Sequence, residues 1–141
     1  MANISRRLEQ VVNAELKNQI LPVKTAEGIL VGNVLIISEG TIKHLKYKDE
    51  LVYKDIHLNA IAIKMANLLA RGNFFIKLDE LYRADCEYGR WFNDSQMLRT
   101  QYQKAISNQD FDKADILWAR YCESRDKAFN AKNHAQSLAS I

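Results

Sequence analysis

Residues 98–117 read LRTQYQKAISNQDFDKADIL, and this stretch decides the fold. Leu98 and Tyr102 lie four residues apart on one side of Ser107–Asn108–Gln109–Asp110, and Ala114 and Leu117 lie three apart on the other. The four polar residues between them interrupt a helical pattern. Asn108 is suited to a left-handed cap, and Asp110 to capping a new helix from Phe111.

Outward from this turn, each arm carries an apolar seam with alternating four- and three-residue steps, the spacing of a coiled coil. One arm has Leu78, Leu81, Ala84, Tyr88, Trp91, Ser95, Leu98 and Tyr102. The other has Ala114, Leu117, Tyr121, Ser124, Ala128, Ala131, Ala135 and Leu138. Folded antiparallel about the turn, the seams pair from Tyr102–Ala114 and Leu98–Leu117 to Leu78–Leu138, with index sums of 215 or 216 throughout. Tyr102, Tyr121, Trp91 and Tyr88 then each face Ala or Ser, the large-against-small complementarity that close packing requires. Residues 73–138 therefore predict an antiparallel helical hairpin. In this register Cys86 lies level with residue 130, eight residues from Cys122. That is an axial offset of roughly 12 Å at 1.5 Å per residue, too far for a disulfide, and both thiols are expected to be free and partly buried.

Phe92, Trp118, Phe129 and Ile106 fall off the seam, as do Phe74 and Phe75 at the start of the first arm. A two-helix hairpin cannot bury this second stripe by itself. Phe92, Trp118 and Phe129 are therefore the candidate protein interface, and self-association is the expectation.

The first half reads differently. Ile4, Leu8, Val11, Val12 and Leu16 recur at helical spacing and predict an amphipathic helix closed by Pro22. Ile29–Val31, Val34–Ile37, Thr41–Tyr47 and Leu51–Ile56 are β-branched or aromatic runs separated by Gly32–Asn33, Ser38–Gly40 and Lys48–Asp49–Glu50. They predict a meander of three or four antiparallel strands. Asn59–Ala70 follows as a mostly apolar helix to cover it, capped by Asp55 or Asn59 and ended by a left-handed Gly72. The fold expected is α+β in one domain, residues 1–141. It comprises an N-terminal helix, a small antiparallel β-meander and a covering helix (1–72), then the long C-terminal helical hairpin (73–141).

Composition agrees with a single globular core: 141 residues, 48% hydrophobic, 26% charged, one proline and five glycines. The longest apolar stretches, Gly28–Ile37 and Ala60–Ala70, are far too short to span a bilayer. No signal-type apolar run follows Arg6 and Arg7, and a cytoplasmic or intravirion location is expected, with no membrane partner. The net charge of +3 is dispersed, since residues 77–141 carry ten basic and ten acidic side chains. No basic block of the kind that marks most nucleic-acid binders is present.

Motifs for catalysis are lacking. His44, His57 and His134 are dispersed without partners at zinc-site spacing. Asp79, Glu80, Asp85 and Glu87 sit near Arg83 and Arg90 on one helix, and i,i+4 ion pairs such as Asp79–Arg83 account for them. Gly28, Gly32 and Gly40 are not followed by Lys-Ser or Lys-Thr, so no phosphate loop is formed. No cofactor, metal or enzymatic activity is expected. The alternative function is nucleic-acid binding through Lys43, Lys46, Tyr47, Lys48, Tyr53 and Lys54, where aromatics interleave with lysines. There, four lysines against Asp49, Glu50 and Asp55 leave a net charge of +1.

Residues 88–99 (YGRWFNDSQMLR) and 110–120 (DFDKADILWAR) resemble helical segments of small proteins of unassigned function from tailed marine bacteriophages. The resemblance implies a phage-encoded accessory or assembly protein in the host cytoplasm or the virion. With the leftover aromatics, it makes a non-enzymatic, self-associating structural protein the leading expectation.

Overall fold

A computed structural model describes residues 20–72 and 74–140. The expected N-terminal helix lies outside the described residues. The chain divides into two compact units, Met1–Glu80 and Leu81–Ile141, with the boundary inside the first hairpin helix rather than at Gly72. The fold is α+β: an antiparallel sheet followed by three helices, the last two forming a hairpin.

In the first unit five strands follow one another in sequence order: β1 (Val23–Lys24), β2 (Ile29–Val31), β3 (Val34–Glu39), β4 (Ile42–Tyr47) and β5 (Glu50–Ile56). The two-residue β1, which pairs Val23 with Leu30, is not legible in the sequence, because two residues carry no periodicity. Gly32 and Gly40 hold positive φ at the first central position of two-residue turns, the place a II′ hairpin reserves for glycine. Lys48 and Asp49 both adopt positive φ (51° and 63°), as a I′ turn requires, so Glu50 belongs to the strand rather than the turn. Pairing of β4 with β5 is irregular. Lys43 opposes Ile56 and Leu45 opposes Tyr53, leaving an extra residue on β5 where Asp55 sits at φ 60°.

Helix α1 (Asn59–Arg71) lies across β2–β5. Its buried Ile61, Ala62, Met65, Ala66 and Leu68 meet the sheet face that carries Val34, Ile36 and Leu45. Leu58 is the N-cap and makes no side-chain cap bond, in place of the expected Asp55 or Asn59. Asp55 is held in the β5 irregularity, and Asn59 is already helical. Gly72 ends α1 at φ 136°, ψ −156°, not in the left-handed helical conformation but in a region open almost only to glycine.

Asn67 is an unexpected member of this core. Its Oδ1 accepts from the Ile20 amide and its Nδ2 donates to the Ile20 carbonyl, both at 2.8 Å. The side chain thus completes the hydrogen bonding of the backbone that enters β1. Asn67→Leu removes both bonds and leaves the Ile20 groups unsatisfied. A loss of about 1–3 kcal/mol in unfolding free energy is expected, with faster hydrogen exchange at Ile20. Unchanged exchange there would refute this role.

Helices α2 (Phe75–Ser107) and α3 (Phe111–Ala139) form the hairpin. The turn is a Schellman motif. The Asp110 amide reaches the Ala105 carbonyl (2.9 Å), the Gln109 amide reaches the Ile106 carbonyl (3.0 Å), and Gln109 takes the left-handed conformation at φ 59°. The expected left-handed residue was Asn108, but its amide still bonds the Lys104 carbonyl, so the helix runs one residue further. Asp110 caps α3 as expected, accepting from the Lys113 amide.

Every seam residue from Leu81 to Tyr102 and from Ala114 to Leu138 is buried or half-buried. Near the turn, Leu98, Ala105, Ala114 and Leu117 form the hairpin core, flanked by Tyr102 and Tyr121. Cross-helix contacts fall slightly off the sums read from the sequence. Ser124 Oγ donates to the Asp94 carboxylate, and the Lys127 ammonium lies 4.4 Å from the Trp91 ring centre, so each pair sums to 218. Helical side chains lean toward their own N-terminus, which on two antiparallel helices raises the sum of contacting indices by about two. The two cysteines form no disulfide with each other; Cys122 is half-buried as expected, but Cys86 is exposed.

Candidate functional site

Phe92, Trp118 and Phe129 are exposed to 39%, 46% and 63%. Phe92, Arg99 and Ile106 recur at seven-residue steps on α2, and Phe111, Trp118 and Arg125 do so on α3. At about 100° per residue, each set forms a line beside the seam. Trp118 packs on Tyr102 across the helices (ring centres 5.1 Å apart) and on Tyr121 along its own helix (5.3 Å), which puts both lines on the same flank of the hairpin. Arg125 stacks on Tyr121 at 5.6 Å, and Phe92 on Tyr88 at 5.7 Å. Phe129, one turn beyond Arg125, makes no ring contact among the described residues. The flank is thus a band of exposed rings interrupted by two guanidinium groups. Arg99, Phe111 and Arg125 were not singled out from the sequence, although their seven-residue spacing was there to find.

On the other flank Trp91 is enclosed. Its indole N–H donates to Glu87 (2.7 Å), with Arg90 and Lys127 at 5.0 Å and 4.4 Å from its ring centre. Lys127 is further held by Glu123 at 3.2 Å. Trp91 therefore has its polar atom satisfied and both charges around it in place, which is a structural role.

Asp85, accounted for in the sequence by nearby arginines, is fully buried. Its neighbour Tyr88 has a phenol pushed above its ordinary pKa, by burial first and by the Asp85 charge second. Nothing in the i,i+4 pattern distinguishes a buried carboxylate from an exposed one.

The basic strand residues do not collect on one face. Lys43, Leu45 and Tyr47 point to the side of the sheet that α1 covers, and Tyr53 joins them through its pairing with Leu45. His44 and Lys46 point to the other side. Lys48 lies in the turn with its ammonium 5.3 Å from the Tyr47 ring centre, and exposed Lys54 lies in the irregular stretch of β5. Burial, and then the Asp79 charge, raise the Tyr53 pKa. His44 is committed at both nitrogens: Nε2 lies 3.0 Å from Glu39, and Nδ1 accepts from the Asp55 amide at 3.1 Å. That acceptance assigns the neutral ring as the Nε2–H tautomer.

The first unit also exposes Phe74, Phe75 and Ile76, which border a shallow cleft of about 350 Å³. The Arg71 guanidinium stacks on Phe74 at 5.5 Å. Burial, then Arg71 and Lys77, lower the pKa of nearby Lys64.

Among the described residues, no group of three or more His, Cys, Asp or Glu is placed to hold a metal ion. No described helix is long and apolar enough to cross a membrane. Comparison with known proteins gives no match: no family model, no curated protein and no solved structure aligns significantly with this chain.

Proposed function

We propose that this chain is a non-enzymatic structural or assembly protein that self-associates through the Phe92–Trp118 flank of its hairpin. The observation that carries the reading is the band of exposed rings interrupted by Arg99 and Arg125. Aromatic and arginine side chains are the residues enriched at protein interfaces, and guanidinium groups stack on rings across them. A second copy supplies matching rings and guanidinium groups, as an isologous interface requires. The sequence resemblance to small phage proteins supports an assembly role in a phage-encoded context. The β4–β5 region supports no second reading, because Lys43 and Lys46 lie on opposite faces of the sheet.

Sedimentation of the full chain across a concentration series tests this. Self-association at micromolar concentration is expected, with Trp118→Glu shifting the chain to monomer and weakening association at least tenfold. Phe92→Glu should act in the same direction. A wild-type monomer at several hundred micromolar would overturn the proposal.

A further inference from the structure

At the closed end of the hairpin a cleft of about 410 Å³ opens between the last turns of α2 and the first turns of α3. Its size is that of a small-molecule site. Lys104, Lys113 and Arg120 line it, and Asp110 is the one carboxylate among its lining residues. Ala105 and Leu117, both part of the hairpin core, form an apolar floor. Among the described residues, none of these three cations is in an ion pair. Asp110 is engaged in capping the Lys113 amide.

The placement of these charges needs a reason. Lys104 lies in the last turn of α2, where a cation is favourable beside the negative end of the helix dipole. Lys113 lies in the first turn of α3, where a cation faces the positive end and is unfavourable. Arg120 adds a third positive charge to the same cleft. With Asp110, the charge lining the cleft is +2: Lys104 lies at the end of α2, Lys113 in the first turn of α3 beside Asp112, and Arg120 seven residues further along α3. An anion carrying two or more charges would complement three exposed cations that no described carboxylate pairs. Gln101 and Asn108, also on the wall, supply neutral donors.

We infer that this cleft binds a phosphate-bearing ligand, a diphosphate or a closely spaced pair of phosphates, held by Lys104, Lys113 and Arg120. Such a site is separate from the aromatic flank, and its occupancy does not depend on self-association.

Titrating inorganic pyrophosphate into the full chain at low ionic strength, read by backbone amide resonances, tests the assignment. Saturable shifts are expected around Lys104–Asn108 and Lys113–Arg120. Lys113→Ala and Arg120→Ala should each weaken binding at least fivefold. Lys113→Glu should abolish it while melting at or above the wild-type temperature, which separates loss of the site from loss of the fold. Competition with a short single-stranded oligonucleotide then identifies the source of the phosphate. Displacement of pyrophosphate assigns a nucleic-acid backbone, and continued pyrophosphate binding assigns a small phosphorylated molecule. Shifts that never saturate, or affinities equal in wild type and the alanine variants, would overturn the inference.

Discussion

Gly28→Ala will destabilise the sheet unit by about 2–4 kcal/mol, a loss combining backbone strain with overpacking. Gly28 precedes β2 at φ 155°, and a Cβ built there would lie 2.2 Å from the Ile36 carbonyl oxygen, with the Ile36 carbonyl carbon at 3.2 Å. Both obstacles are backbone atoms of β3, so no rotamer change can clear them. The strands must separate, and the Ile29–Ile36 pairing is the first to suffer. Gly40 provides the control. It also has positive φ (63°), but nothing lies within 4 Å of its Cβ position. Gly40→Ala should therefore cost only the strain of a side chain at this II′ position, about 1–2 kcal/mol. Denaturant unfolding, with hydrogen exchange on β2 and β3 to assign the loss to this unit, distinguishes the two. Equal destabilisation by both variants would show that the contact with Ile36 is not what matters.

Ala128→Trp is expected to destabilise the hairpin by about 3 kcal/mol through overpacking. Ala128 lies on the α3 seam and keeps 5% of its accessible surface. In the register read from the sequence it is the small residue opposite Tyr88, and an indole at this point has no volume to occupy. The helices must part locally, or a neighbouring ring must leave its place. Exchange protection in α3 and the melting temperature report the effect. Phe129→Trp, one residue on but 63% exposed, should change stability little by comparison. If Ala128→Trp leaves protection and melting unchanged, the seam does not pass through this position.

The hairpin is largely legible in the sequence, because its signal is local. Spacings of three and four residues place side chains on one face whatever surrounds the helix, and Asp110 caps α3 with a bond three residues away. The turn differs from its sequence reading by one residue, since the preference of Asn for left-handed geometry competes with one more turn of helix and only the hydrogen bonds of Lys104–Asp110 settle it. Of the candidate interface, Phe92, Trp118 and Phe129 are legible as apolar residues off the seam. Their interleaving with Arg99 and Arg125 on one flank becomes visible once the Tyr102–Trp118 contact fixes the facing of the two helices.

The strand region is legible in kind but not in detail. Four of five strands can be read from the chain, yet the lysines of 43–57 look like one patch only if sequence neighbours share a face. In a strand, adjacent residues alternate, and each extra residue on β5 reverses that alternation for the residues after it. Asn67 and Asp85 carry no sequence mark of burial. A polar side chain becomes a core residue only when a distant group, here the Ile20 backbone 47 residues away, comes to meet it.

Sequence by itself determined the helical hairpin, its turn, its seam and the leftover rings, because each depends on contacts within a few residues or on a regular period. Tertiary structure decided which flank those rings share, which lysines face together, and that Lys104, Lys113 and Arg120 surround one cleft. Those three cations are 16 residues apart at most along the chain, yet no helical period joins them across the turn. Only the antiparallel return of α3 along α2 brings their charges to one place.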